Sequence, residues 1–224
     1  MATRSAETIT NILQRVSDLR GETSINTDAV RIRFVSESEA EFARRKIWLL
    51  HLLRNQTITG NATNSYTIGS VAYPMRLKGL SEVFVGGQTE DKRVQVVDYF
   101  NYQNLYNQNN SSKLAYEYYD QANDVYKVYI NPAPASTDTI YYSYFYMPAK
   151  KTLVTEQVVC PNMEYIIKMT MAYIAYSEDE DDKAFNLKKE AEQILGEIEG
   201  LETMPAVNQI KSWGTVQDRG MGGY

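Results

Sequence analysis

Residues 140–148 read IYYSYFYMP, and residues 160–165 read CPNMEY. The first stretch is rich in tyrosine, which favours β-structure, and it ends on a proline, which cannot donate to a strand ladder. It therefore predicts a strand. The second stretch opens a helix that is expected to continue to about Ser177, with Pro161 in the first turn, where its missing N–H costs nothing.

A second helix is expected after an acidic turn. The carboxylates of Glu178–Asp182 suit this position, because acids stabilise the positive N-terminus of the helix that follows. From Lys183 to about Leu201, apolar residues recur at intervals of three and four positions, which predicts an amphipathic helix. A strand that leads into an antiparallel pair of helices indicates a structural or assembly protein.

Two more amphipathic helices are predicted near the N-terminus. Residues 6–20 carry apolar side chains on one helical face, and Gly21 provides a C-terminal stop. Asn26 or Thr27 can cap a second, longer helix, which is expected to include His51 because its apolar residues recur every seven positions. These apolar residues are Val35, Phe42 and Leu49.

From about Thr57 apolar and polar residues alternate, which is typical of half-buried strands. Strands are expected at residues 65–68, 81–85, 93–97, 114–119, 125–130 and 138–147. Gly86-Gly87 predicts a hairpin between the second and third strands, and residues 121–124 predict another between the fourth and fifth. Residues 107–112 are expected to form a polar loop. The middle of the chain is thus predicted to be an antiparallel β region.

These patterns together predict an α+β fold. Two N-terminal and two C-terminal helices form a helical bundle, which carries an antiparallel β insertion and an extended C-terminal tail. The expected boundaries are residues 1–55 for the N-terminal helices, 56–150 for the β insertion, 151–202 for the C-terminal helical pair and 203–224 for the tail.

Composition limits the classes of function. The 224 residues carry a formal net charge of −5 and include one cysteine, so no internal disulfide can form and a cytosolic origin is expected. No stretch reaches the ~18 apolar residues of a membrane helix. The acidity argues against general nucleic-acid affinity, which needs clustered positive charge, but it suits a channel wall past which DNA slides.

Groups that could carry chemistry are few. His51 is expected to pack among leucines, and a Cys–His site would require the fold to bring it to Cys160. A zinc site needs about four ligands. The acidic run Glu178–Asp182 lacks the spacing and the central glycine of a calcium loop. We therefore expect no catalytic residue, cofactor or metal, although a metal-dependent nuclease using Asp181 stays an alternative.

The tyrosines allow two interpretations. A sheet with exposed aromatic faces can bind carbohydrate, so a carbohydrate- or receptor-binding module that uses Tyr144 is the main alternative function. Packing within the sheet and between subunits explains the same residues and is favoured.

The tail beyond residue 203 has no helical or strand period. It nevertheless carries tryptophan, tyrosine and arginine, which are the usual anchors of protein interfaces. We expect the tail to dock on a partner. The candidate interaction residues are Trp213, Arg219, Tyr224, Ile210 and Met204.

The order of several motifs resembles the tailed-phage head–tail adaptor proteins, also called connector or head-completion proteins. The aromatic strand Tyr141–Pro148, the helix start Pro161–Tyr165 and the acidic corner Glu178–Ala184 match the C-terminal part of that family. Residues 41–48, EFARRKIW, are similar to its adaptor helix, and residues 130–134, INPAP, to the segment that leaves a strand. The matches span most of residues 27–200. The β insertion is similar to that of the short-tailed-phage or crAss-like type.

The resemblance implies a non-enzymatic virion protein at the head–tail junction. In this family a dodecameric ring joins the portal to the tail or to a second ring protein, and double-stranded DNA passes through its lumen without sequence-specific binding. The C-terminal segment commonly extends to embrace the portal, which is consistent with a tail that binds a partner.

Overall fold

The computed structural model describes residues 5–70, 74–108 and 113–210. The chain divides into two compact units. Unit 1 combines Met1–Glu39 with Lys150–Tyr224, and unit 2 consists of Ala40–Ala149. Among the described residues, no helix has the length and apolar character needed to span a bilayer.

The helices and strands define an α+β fold, as predicted. In chain order they are β1 (Ser5–Thr8), α1 (Ile9–Arg20), α2 (Ala29–Arg45), β2 (Leu52–Thr59), β3 (Ser65–Thr67), β4 (Met75–Val85), β5 (Arg93–Val96), α3 (Tyr99–Gln108), β6 (Leu114–Asp120), β7 (Val125–Asn131), β8 (Thr139–Tyr146), β9 (Gln157–Cys160), α4 (Met163–Ser177) and α5 (Asp181–Ile210). Short 3-10 helices lie at Leu49–His51 and Glu90–Lys92.

Unit 1 contains helices α1, α4 and α5 and a small antiparallel sheet of β1 and β9. Helix α1 starts where the Thr8 side chain accepts a hydrogen bond from the Asn11 N–H, and it ends at Gly21, whose φ of 69° is the left-handed conformation. The predicted stop at Gly21 is therefore confirmed. Neither β1 nor β9 was expected, because four-residue strands leave almost no periodic signal.

Helix α2 differs from its prediction at both ends. Its first turn is capped by Asp28, whose Oδ1 accepts a hydrogen bond from the Arg31 N–H at 2.7 Å, so the prediction of Asn26 or Thr27 as the cap was wrong. The helix ends at Arg45, and the residues that were expected to extend it form a 3-10 turn and then strand β2. The apolar residues of this stretch fit both the helical period and the strand period of two, so their spacing does not distinguish a helix from a strand.

The C-terminal helices follow the prediction more closely. Helix α4 starts at Met163 and ends at Ser177, with the Asn162 side chain capping it by accepting a hydrogen bond from the Glu164 N–H. Pro161 thus precedes the cap and does not lie in the first turn. Helix α5 begins at Asp181 and continues to Ile210, which is farther than the expected end near Leu201.

Unit 2 contains a seven-stranded sheet in the order β2-β8-β4-β5-β6-β7-β3. Both predicted hairpins are present, since β4 pairs with β5 and β6 pairs with β7 in antiparallel registers. One pair, β5 with β6, is parallel, so the sheet is mixed where an antiparallel region was expected. Parallel neighbours need a long crossover, and helix α3 supplies it. Helix α3 was not predicted, because its tyrosines and amides show no clear helical period.

Strand β8 is a central strand of the sheet, between β2 and β4, and most of its side chains are buried. Tyr142, Tyr144 and Tyr146 belong to the core of unit 2, which also contains residues from β3, β4, β5, β6 and β7. The prediction that Tyr144 binds sugar is wrong, because its ring is buried and cannot present a face to a ligand.

Candidate interaction surfaces

Ion pairs at one end of unit 1 join three helices. The guanidinium of Arg20 in α1 donates to both carboxylate oxygens of Glu178 at the end of α4, at 2.8 and 2.7 Å. Arg20 also donates to Glu22, and Arg31 of α2 donates to both oxygens of Glu22 at 2.6 and 2.7 Å. Hydrogen bonds from Arg31, and further ones from Arg20 and Ser17, lower the pKa of Glu22 to about 2.

The acidic run Glu178–Asp182 forms the corner between α4 and α5. Asp179 adopts a φ of 61°, and the Glu180 N–H bonds back to the Ala175 carbonyl, so the chain reverses within a few residues. Asp181 and Asp182 occupy the first turn of α5, where carboxylates favour the positive helix end. This is the role that was predicted. Within the described parts of the chain, no group of three or more His, Cys, Asp or Glu residues is arranged to hold a metal ion.

Large apolar side chains are exposed at the same end of unit 1. Leu19 immediately precedes Arg20, Tyr176 lies in the last turn of α4, and Phe185 lies in the first turns of α5. We call Leu19, Tyr176, Phe185 and the run Glu178–Asp182 the helix-end surface. The acids of this surface were predicted from the sequence. The exposure of its apolar residues was not, because the spacing of apolar residues does not show which side chains at a helix end are exposed.

Residues 44–49, RRKIWL, form the second surface, which we call the basic segment. Trp48 is buried, its ring stacks on Phe42 at 4.2 Å between centroids, and its Nε1–H donates to the Phe42 carbonyl at 2.8 Å. The Lys46 ammonium lies 4.2 Å from the centre of the Trp48 ring. Because Trp48 is fixed in the core, its neighbours Ile47 and Leu49 are exposed to solvent together with Arg44 and Arg45.

Three other tyrosines of unit 2 form a cluster between helix α3 and the sheet. Tyr116 and Tyr129 are cross-strand partners whose rings stack at 5.2 Å, and Tyr102 of α3 packs against both. Burial raises the pKa of Tyr102 and of Tyr116 to about 12, and the neighbouring Tyr129 contributes to both shifts. Tyr102 and Tyr116 are therefore neutral across the physiological pH range, and the main structural effect of the cluster is to hold the crossover helix on the sheet.

His51 and Cys160 lie in different units and have packing roles. The His51 ring meets Tyr146 edge-on at 5.1 Å in the core of unit 2, which agrees with the predicted packing role. Cys160 is buried in unit 1, where its thiol donates to the Asn162 carbonyl at 3.2 Å.

One buried carboxylate links α2 to β9 within unit 1. Glu39 accepts a hydrogen bond from the Val159 N–H at 2.9 Å, and its second oxygen lies 3.6 Å from the Lys151 ammonium. Burial raises the pKa of Glu39 above its ordinary value, although Lys151 and the Val159 N–H oppose the shift. Glu39 was not predicted as a buried residue, because in the sequence it has the features of an ordinary surface acid on a helix.

The five predicted partner-binding residues are not part of these surfaces. Trp213, Arg219 and Tyr224 lie outside the described residues. Met204 and Ile210 lie in the last part of α5, where a tail without helical structure was expected. Their interaction role stays a prediction.

Comparison with known protein families identifies the family of the chain. The model of the family described as SU10 adaptor protein matches residues 7–212, which is most of both units. The chain is thus a structural protein of a phage virion, of the head–tail adaptor class. It belongs to the SU10 adaptor protein family. No curated protein matches the chain. The short-tailed or crAss-like type stays a prediction.

Proposed function

We propose that the protein is the subunit of an oligomeric ring that joins the portal to the tail and surrounds the DNA exit channel. The family match over residues 7–212 is the observation that carries the proposal, because it assigns an adaptor role to nearly the whole chain. A subunit that presents two different surfaces to its two neighbours closes a ring by rotation. We propose a dodecameric ring, so that the number of adaptor copies matches the number of portal copies.

The charge distribution supports a ring that DNA passes through without binding. The chain carries a net charge of −5, and a wall of this sign repels phosphate groups. Nucleic-acid-binding proteins instead show extended clusters of lysine and arginine. In the proposed assembly the helices contact neighbouring copies, and the β region contacts the tail or a second ring protein.

The portal contact is proposed to involve the C-terminal arm, residues 203–224. Trp213, Arg219 and Tyr224 are its anchors, with Met204 and Ile210 at its start. Aromatic and arginine side chains supply most of the binding energy in protein interfaces, because they bury large areas and still form hydrogen bonds. The arm would assemble with the portal in the cytoplasm of the host and stay at the neck of the virion.

Native mass spectrometry of the purified chain, alone and mixed with the portal of the same phage, tests the proposal. The expected result is a complex in which adaptor copies match portal copies. A chain that leaves the portal mass unchanged at every mixing ratio contradicts it. Bovine serum albumin in place of the chain controls for non-specific adducts.

A further inference from the structure

Two surfaces of this chain are complementary in charge, and both carry exposed apolar side chains. On the helix-end surface, the exposed fractions of Leu19, Tyr176 and Phe185 are 59%, 45% and 64%. On the basic segment, Ile47 is 48% exposed and Leu49 is 47% exposed. Side chains of this size are normally covered when several of them lie close together, so both surfaces are suited to binding a protein.

The charges around these apolar residues have opposite signs. Glu178–Asp182 contributes five carboxylates, and within unit 1 the cations that bond to them are Arg20 and Lys183, so the surface keeps an excess of negative charge. The basic segment carries Arg44, Arg45 and Lys46 in succession, and Arg45 pairs with Glu41 at 3.2 Å, so three cations next to one paired acid leave an excess of positive charge. Opposite potentials favour association of the two surfaces and fix which parts of them meet.

We propose that the helix-end surface of one copy binds the basic segment of a neighbouring copy. The inference rests on the proposed ring, and it names the residues of its repeating contact. A second copy is the occupant that fits, because each surface supplies what the other needs. DNA would be attracted to the basic segment but repelled by the helix-end surface.

The basic segment is held in an ordered conformation before any contact forms. Trp48 anchors it through the hydrogen bond to the Phe42 carbonyl and the stacked ring, so Ile47 and Leu49 are held in place before binding. On the other side, the Arg20–Glu178 ion pair holds together the helix ends that carry Leu19 and Tyr176. Surfaces that are already ordered lose little conformational entropy when they associate. Because the two surfaces differ, the contact is heterologous and repeats around a ring.

Disulfide cross-linking between two differently tagged copies tests the contact. One copy carries Ile47→Cys and the other carries Phe185→Cys, and a mild oxidant is added to the mixture. The native Cys160 is buried and does not compete. The matched control replaces Ile47→Cys by Gln121→Cys, at an exposed turn of the same unit. We expect several-fold more mixed dimer with Ile47→Cys, and equal yields would overturn the proposal.

Charge reversal provides an independent measurement on the same cross-link. Arg45→Glu in the first copy is expected to lower the yield about fivefold, and Asp182→Lys in the second copy is expected to restore it. Arg33→Glu, on an exposed part of the same helix, is the control and should leave the yield unchanged. A yield that Arg45→Glu does not change, or that Asp182→Lys does not restore, would contradict the paired charges.

The outcomes separate this inference from the proposed function. If the wild-type chain adds to the portal but the Ile47→Cys and Gln121→Cys yields are equal, the adaptor ring stands and this interface is wrong. If the specific cross-link forms but no portal complex appears, the contact between copies stands and the portal-joining role is wrong.

Discussion

Glu22 and Glu39 have opposite environments, although both are acids paired with cations. Glu22 accepts hydrogen bonds from Arg31 and Arg20 near the surface, and its pKa falls to about 2. Glu39 is buried beside Lys151 and the Val159 N–H, and desolvation raises its pKa. Ionisation therefore stabilises the folded state at Glu22 and destabilises it at Glu39.

Glu39→Gln should change how stability depends on pH. The raised pKa means that the folded protein holds the Glu39 proton more tightly than the unfolded chain does. Stability from this residue is thus fully present at pH values below the ordinary pKa and is lost as the pH rises through the folded pKa. Glutamine keeps the acceptor for the Val159 N–H and does not ionise. The wild type should lose stability relative to Glu39→Gln as the pH rises, as measured by urea unfolding at several pH values.

Glu22→Gln is the matched comparison, and its effect on the pH dependence of stability should have the opposite sign. The lowered pKa of Glu22 contributes stability above its ordinary pKa of 4.5, and this contribution is lost as the pH falls toward about 2. The wild type should exceed Glu22→Gln in stability at neutral pH, and the difference should shrink in acid. Two parallel pH profiles would refute both assignments.

At the scale of single elements, the start of α2 depends on one capping residue. The Asp28 carboxylate accepts a hydrogen bond from the Arg31 N–H at 2.7 Å, which satisfies a helix N–H that has no partner within the helix. Asp28→Ala should lower the free energy of unfolding by about 1 kcal/mol, measured by urea denaturation followed by circular dichroism. Thr27→Ala is the control, and an equal loss there would restore the cap that the sequence suggested.

The sequence predicts elements well where local chemistry alone determines them. Gly21 ends α1 because a residue without a β-carbon adopts the left-handed φ at little cost, and the turn at residues 121–124 joins β6 to β7 as expected. Helix α3 and strand β2 depend instead on tertiary contacts. The crossover is needed only because β5 and β6 are parallel, and β2 forms because β8 supplies a partner.

The candidate surfaces show the same division. The acids of Glu178–Asp182 and the cations of residues 44–46 are visible in the sequence, and the acids were correctly assigned to helix ends. Their apolar partners are not visible, because a leucine or phenylalanine next to a helix end reads as a core residue. Only the fold shows that Phe185 is exposed while the adjacent Ala184 is buried.

At the scale of the whole molecule, the core of each unit is built from residues that precede residue 211. The buried side chains of unit 1 lie in α1, α2, β9, α4 and the part of α5 up to Ile198. A chain that stops after Ile210 keeps all of them. We therefore expect it to unfold at the temperature of the full chain, since no described core contact is removed.

The same truncation should abolish binding to the portal, because it removes Trp213, Arg219 and Tyr224. Replacing these three residues by alanine in the full-length chain should weaken portal binding by about thirtyfold or more, as expected when interface anchors are lost. Thr215→Ala, Val216→Ala and Gln217→Ala in the same segment are the matched control and should bind normally. A truncated chain that still adds to the portal with full affinity would place the portal contact elsewhere, and the exposed surfaces of the two units would then be the regions to mutate.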